Sequence, residues 1–223
     1  MTELFLIDIE KSDCSKIENE KLEELFPLPI TQKIEKTKNK KLRRDRVITY
    51  IALIDILSGK LEKKEIFNLF KFQENGKPYL EKNEIYFSVS HTDGLAVVAV
   101  SDFQVGVDIE KIITEKRETV EKICNKYIAK YEEIKPEKLK NVNYCYVFGD
   151  KVEKKRIIVA NEEMKFETVP FLRWTALEAF LKADGSGFSK MNKTIKKQNK
   201  FEAHTYLFRL NENIFAIATN KIK

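Results

Sequence analysis

The stretch VGVDIE, Val105–Glu110, sets two carboxylates, Asp108 and Glu110, two residues apart among apolar neighbours. In a strand, side chains alternate between faces, so the two acids share one face and Val107 and Ile109 share the other. With Val107 and Ile109 against a core, both acids look toward solvent or a cleft. Two close carboxylates repel, which raises a pKa or invites a cation. Hard oxygen ligands of this kind suit Mg2+, which keeps waters and completes its shell with substrate phosphates. A half-solvated strand also carries such a pair by chance, so both readings stand at this point.

A second group lies in RWTALEAFLKADGSG, Arg173–Gly187. Trp174, Glu178 and Lys182 are spaced by four and share one helix face, beside an apolar stripe of Leu177 and Leu181. Glu178 and Lys182 alone fit an ordinary surface ion pair; Trp174 on the same face points to a partly covered cleft. His91, at the end of FSVSH, fits either a phosphate contact or plain polar surface.

The charge is concentrated. The 223-residue chain has 41 Lys and Arg against 35 Asp and Glu, a net +6. Lys33–Arg46, KIEKTKNKKLRRDR, holds eight basic and two acidic residues and so accounts for the whole excess. Such a segment attracts phosphates or an acidic macromolecule, nucleic acid among them, unless it is a merely solvated basic turn. Three carboxylates, a neighbouring lysine, a histidine after a strand and a basic segment together suit a pyrophosphate substrate bridged by magnesium. The metal would polarise a phosphoryl oxygen, and a carboxylate would take the proton of an attacking hydroxyl.

The elements that must position these residues follow from periodicity. Glu3–Ile9 reads as a strand. Residues 15–26 read as a short helix, broken by Pro27 and Pro29. Leu42–Leu57 is a helix with a wide apolar face, ended by Ser58-Gly59. Lys63–Phe70 fits a short helix or a strand. Asn75–Pro78 is a turn. Ile85–Ser101 is two strands around Thr92-Asp93-Gly94, and with the strand that follows it should form one compact antiparallel sheet. Thr114–Glu133 is helical, Val142–Phe148 and Arg156–Val159 are candidate strands, and Pro170 sits at the start of the helix that carries Glu178. His204–Asn220 repeats the pattern of strand, polar turn, strand. The expected fold is therefore α+β: two similar lobes, 1–104 and 105–223, each a small antiparallel sheet with a long helix, and the active site in the groove between them.

Composition narrows the class. Hydrophobic residues are 43% and charged residues 34%, as in a folded soluble protein. The longest strictly apolar run, Leu95–Val100, is far too short to span a membrane. The first residues, MTELFLIDIE, read as a strand and not as a signal peptide. Three scattered cysteines and two histidines argue against a disulfide framework and a structural zinc site, and for a reducing, cytoplasmic setting.

Four blocks, in order, resemble the 4'-phosphopantetheinyl transferases of the two-lobed, surfactin-synthetase-activating type. NGKPYL is similar to that family's G-K-P turn, FSVSHTDGLAVVAV to its strand and hairpin, VGVDIE to its G-x-D-x-E block, and RWTALEAFLKADGSG to its W-x-x-K-E-A-x-x-K-x-x-G-x-G helix. The resemblance runs through most of residues 75–188. It implies transfer of the phosphopantetheine arm of coenzyme A to a serine of an apo acyl or peptidyl carrier protein, with release of 3',5'-ADP. It further implies that Asp108, Glu110 and Glu178 gather around Mg2+ (or Mn2+), with Glu178 as the base for the carrier serine. Ser90, His91 and Lys182 would hold coenzyme A phosphates, and Gly76, Lys77 and Pro78 would border the nucleotide. Arg46 would face the 3'-phosphate, helped by Lys33 and Lys36. The implied partners are coenzyme A and the carrier, with no nucleic acid and no membrane, and the implied state is a monomer acting as its own pseudo-dimer.

The chain departs from the family pattern at Ser88 in place of asparagine, at Leu177 in place of lysine, and at Tyr50 and Asp55 in the first long helix. Ser88 can still make a short hydrogen bond, Leu177 sits off the Glu178 face, and Tyr50 and Asp55 bear on coenzyme A binding. Three other readings use the same residues: a Mg2+-dependent phosphodiesterase or nuclease that transfers to water, a non-catalytic nucleic-acid-binding module built on Lys33–Arg46, and an inactive structural relative.

Overall fold

A computed structural model describes residues 2–17, 22–127, 136–185, 203–210 and 212–222. It is a mixed α+β fold. A five-stranded sheet has the order β4-β5-β1-β7-β8, formed by Tyr86–Thr92, Leu95–Ser101, Glu3–Asp8, Asn141–Phe148 and Lys151–Ile158. A four-stranded sheet has the order β6-β11-β10-β9, formed by Gln104–Lys111, Asn213–Ile222, Ala203–Leu210 and Ala160–Asn161. A small hairpin pairs β2, Phe70–Phe72, with β3, Pro78–Leu80.

The continuous apolar run in β5 is explained by burial on both faces. Ala96, Val98 and Val100 join Phe5 and Ile7 against the helix α3, Lys40–Ser58. Leu95, Val97 and Ala99 join Leu6 in the layer between the two sheets, opposite Val105, Val107 and Ile109. α3 begins before the expected Leu42 because the Asn39 side chain caps it, accepting from the Leu42 amide at 2.9 Å.

The helical pattern breaks before Pro27, where α1, Leu22–Leu25, ends, and Pro27 and Pro29 also open the next helix, α2, Leu28–Glu35. The first turn of a helix has no intrahelical use for its N–H groups, so proline costs nothing there. Of the helix expected over 15–26, only α1, Leu22–Leu25, is helical among the described residues. The ambiguous segment after α3 is the helix α4, Lys63–Leu69, started by a capping box between Glu62 and Glu65 and continued by β2.

The expected three-stranded sheet of β4, β5 and β6 does not form. β6 pairs antiparallel with β11, Asp108 opposite Ala218. It still runs alongside β4, but side chains replace the backbone ladder: the Val107 amide donates to Ser88 Oγ at 3.1 Å and the Lys111 amide to Thr92 Oγ1 at 3.2 Å. The two sheets therefore meet edge to edge along a seam of alternate hydroxyl residues on β4.

After β6, a 3-10 turn at Thr114–Lys116 leads into α5, Arg117–Tyr127; the rest of the helix expected to Glu133 lies outside the described residues. β7 and β8 then return to the first sheet, β7 pairing parallel with β1. The last long helix, α6, Val169–Asp184, has Pro170 in its first turn and Gly185 in the left-handed conformation at its end. All three cysteines are buried and unpaired. No helix among the described residues is long and apolar enough to cross a membrane.

Candidate active site

The face of β6 that carries Gly106, Asp108 and Glu110 lies under α6. A Cβ on Gly106 would stand 1.9 Å from the Ala179 carbonyl oxygen and 2.3 Å from the Ala183 amide nitrogen. Only glycine permits this approach. It brings Asp108, two residues on, beneath Glu178 and Lys182. Small residues continue the contact: Ala176 and Ala179 of α6 pack on Ala218 of β11.

Asp108 is 2% exposed. Its Oδ1 accepts from Ser90 Oγ at 2.7 Å and from Lys182 Nζ at 2.6 Å, and Lys182 Nζ also donates to Ser90 Oγ at 2.8 Å. Lys182 Nζ is 3.7 Å from Glu178 Oε2. Burial works to lower the Lys182 ammonium, but the carboxylates of Asp108 and Glu178 outweigh it and hold it raised. Burial, and then the charge of Asp108, push Glu178 up to about 8. The same causes push Glu110 up to about 7, although a hydrogen bond from Trp174 favours its charged form.

One lysine thus faces three carboxylates. Asp108 takes the ammonium, and the other two acids are held toward their protonated forms for want of positive charge. Asp108 Oδ2 is buried with no hydrogen-bond partner. As the side chains stand, no group of three or more His, Cys, Asp or Glu among the described residues is placed to hold a metal ion. Lys182 occupies Oδ1 of Asp108, and Glu110 is tied to Trp174. The donor set still fits a hard divalent cation: all oxygen, surplus in negative charge, and with one buried oxygen left over.

Two clefts flank this cluster. One, of 160 Å3, is lined by Lys33, Arg46 and His91 and by one acid, Asp45, with Tyr50, Gly76 and Pro78. Burial and then Arg46 lower the Lys33 ammonium, and burial and then Lys182 lower His91, so the imidazole is neutral at pH 7 and serves as a hydrogen-bond donor. Lys33 Nζ rests 4.1 Å over the Phe72 ring and donates to the Gly76 carbonyl at 3.4 Å. Burial pushes the Tyr50 hydroxyl up to about 12, leaving it neutral. An anion entering here would relieve the repulsion between Lys33 and Arg46.

The other cleft, of 350 Å3, has Glu110 and Trp174 on its wall with Phe171, Ile113, Val120 and Ile123. Lys111 and Lys116 also line it. Its apolar residues come from α5, the loop before it and the first turn of α6. Sequence reading did not single them out, because each belongs to an ordinary amphipathic pattern.

The structure therefore brings together Lys33, Arg46, Gly76, Pro78 and His91 at one cleft, and Ser90, Asp108, Glu178 and Lys182 beside it. Lys36 is exposed and lines neither cleft. Lys77 faces away from the cation-lined cleft: its Nζ donates to the carbonyls of Lys182 and Ala183. Leu177 is fully buried with Cys124 of α5, so a lysine at that position would have no water to reach. Asp55 pairs with Lys154 of β8, away from both clefts.

Over 44 residues the chain is 46% identical to 4'-phosphopantetheinyl transferase gsp of Aneurinibacillus migulanus. The homology is distant and partial. It covers 20% of this chain and 18% of that protein's length. It links the chain to a phosphopantetheinyl transferase at the level of superfamily. No protein-family model matches the chain.

Proposed function

We propose that this chain transfers the 4'-phosphopantetheine arm of coenzyme A to the serine hydroxyl of an apo acyl or peptidyl carrier protein, a Mg2+-dependent holo-carrier-protein synthase. The observation that carries the reading is the cluster of Asp108, Glu178 and Glu110 around Lys182 and Ser90, directly beside a cleft bearing Lys33, Arg46 and His91. The partial match to a protein of that name supports it independently.

In this reading the site lies in the groove between two lobes, 1–104 and 105–223, led by α3 and α6, with β7 and β8 of the second completing the sheet of the first. The chain acts as a cytoplasmic monomer. The nucleotide end of coenzyme A lies in the cation-lined cleft, where Arg46 and Lys33 meet the 3'-phosphate and Gly76 and Pro78 border the base. His91 and Lys182 donate to the pyrophosphate, with Ser90 holding Lys182 in place. Asp108, Glu110 and Glu178 would hold Mg2+, or Mn2+, which would supply Lewis-acid polarisation of a phosphoryl oxygen.

Glu178 must first lose its own proton, and its carboxylate then takes the proton of the carrier serine, directly or through water. Its oxygen bonds to the phosphorus that carries pantetheine, and the bond from that phosphorus to the bridging oxygen breaks. The electron pair leaves on 3',5'-ADP. The carrier partner is typically acidic, which suits an enzyme of net charge +6.

The test is the intact mass of an apo carrier protein after incubation with this protein, coenzyme A and Mg2+. A gain of one phosphopantetheine, lost with EDTA and strongly reduced by Glu178→Gln, is the expected result. No gain on fatty-acid, polyketide and peptide carriers, with the protein shown to be folded, would sink the reading.

A further inference from the structure

The turn between β2 and β3 has two sides. Gly76 and Pro78 line the cation-bearing cleft, and the Gly76 carbonyl accepts from Lys33. Lys77, between them, points the opposite way. Its Nζ donates to the carbonyl of Lys182 and, at 3.3 Å, to that of Ala183. Asn75 Nδ2 donates to the Gly185 carbonyl at 2.7 Å. The last carbonyls of a helix have no partner within it, and a cation there also meets the negative end of the helix dipole. The turn therefore supplies both the charge and the donors that the end of α6 lacks.

We infer that Lys77 is a positioning residue: it caps the C-terminus of α6 and so holds Glu178 and Lys182 at their height over Asp108, and it is not a ligand of substrate phosphate. The carbonyl it holds belongs to Lys182 itself, whose ammonium reaches Asp108 at 2.6 Å and Ser90 at 2.8 Å. A shift of the last turn by about 1 Å would take both contacts beyond hydrogen-bonding distance. Gly106 sets how closely the last turns of the helix, at Ala179 and Ala183, settle on β6, and Lys77 holds the open carbonyls of that same end from the β2-β3 turn. The reacting role of Glu178 rests on the transferase reading above; the capping by Lys77 does not.

The test compares Lys77→Met with Lys77→Arg, which keeps donors for the same carbonyls. Three quantities are read: amide exchange in the last turn of α6, Mn2+ affinity followed by the fluorescence of Trp174, the one tryptophan of the chain, and coenzyme A affinity by equilibrium dialysis. Lys77→Met should speed exchange in that turn about tenfold and weaken Mn2+ about tenfold, and coenzyme A affinity should fall only together with that loosening of α6, since Lys182 itself meets the pyrophosphate in the transferase reading. On a carrier substrate it should lower kcat/KM. Lys77→Arg should restore all of these. Unchanged exchange in α6 overturns the inference, as does a loss of coenzyme A affinity with the helix intact. If Lys77→Met does not fold, Lys77→Gln, which loses the charge but keeps a shorter neutral donor, should show smaller changes in the same direction, and an absence of change overturns the inference. A parent protein that neither binds coenzyme A nor modifies a carrier would end the transferase reading, and the exchange measurement alone would then decide Lys77.

Discussion

Gly106 of β6 and Ala179 of α6 meet backbone to backbone. The Cβ that Gly106 lacks would lie 1.9 Å from the Ala179 carbonyl oxygen, and no side-chain movement could relieve that overlap. This contact sets the depth at which Asp108 sits under the helix. Gly106→Ala should push strand and helix apart and cost about 1–3 kcal/mol. A thermal melt would register it as a fall of roughly 2–10 °C, and phosphopantetheine transfer should fall further than stability accounts for. A variant that keeps both melting temperature and activity would mean that the helix position is not what Gly106 sets.

Ser88 is one of the β4 hydroxyl residues that join the two sheets where a backbone ladder is missing. Its Oγ accepts from the buried Val107 amide at 3.1 Å. Ser88→Ala leaves that N–H without a partner and should cost about 1–3 kcal/mol, measured by urea denaturation. Ser88→Asn, which keeps an acceptor, should cost less. Equal losses in the two variants would show that the hydroxyl bond is not what holds the seam.

The carboxylates should make stability depend on pH and on metal together. Glu178, raised to about 8, and Glu110, raised to about 7, both hold protons more tightly folded than unfolded. Their protonated forms favour the folded state, so that contribution is fully present below their ordinary value of 4.5 and is lost as pH rises through 7 and 8. In EDTA the melting temperature should therefore fall between pH 5 and about 8.5. Mg2+ should raise it more at the upper end, because the ligands must lose their protons to bind. Glu178→Gln should flatten the curve. A melting temperature that rises over this range in EDTA would contradict the assignment of these two groups.

Arg46 lines the cation-bearing cleft and donates to Thr37. Arg46→Ala should weaken coenzyme A binding about tenfold or more, because a charge-assisted contact to a phosphate is lost. Dephospho-coenzyme A, which lacks the 3'-phosphate, should bind parent and variant alike. Isothermal titration with both ligands makes the comparison. An equal loss for the two would move Arg46 away from the 3'-phosphate.

The local reading of the chain was sound wherever one face of an element is apolar and the other is not. The hairpins at Thr92-Asp93-Gly94 and near Glu212, the long α3, the helix carrying Glu178 and the shared face of Asp108 and Glu110 all follow from periodicity and turn residues. Periodicity marks β8 only at its end, Arg156–Val159, because Lys151–Ile158 is an edge strand exposed over most of its length with little apolar alternation. Prolines at 27 and 29 look the same in sequence whether they end a helix or open the next one.

Local sequence dictates which residues share a face and which types of side chain gather within one element. Tertiary structure alone decided their partners. β6 could pair with β5 or with β11 on pattern, and it pairs with β11 because both faces and both edges of β5 are already taken by core layers, β1 and β4. Lys182 could have been a surface cation, and it meets Asp108 across 74 positions of sequence because Gly106 lets the helix settle onto the strand. Lys77 could have faced a phosphate, and it caps α6 because the open carbonyls of that helix end beside its turn. Periodicity is a property of neighbours a few residues apart, whereas these contacts depend on which edges and helix ends remain unsatisfied once the core has packed.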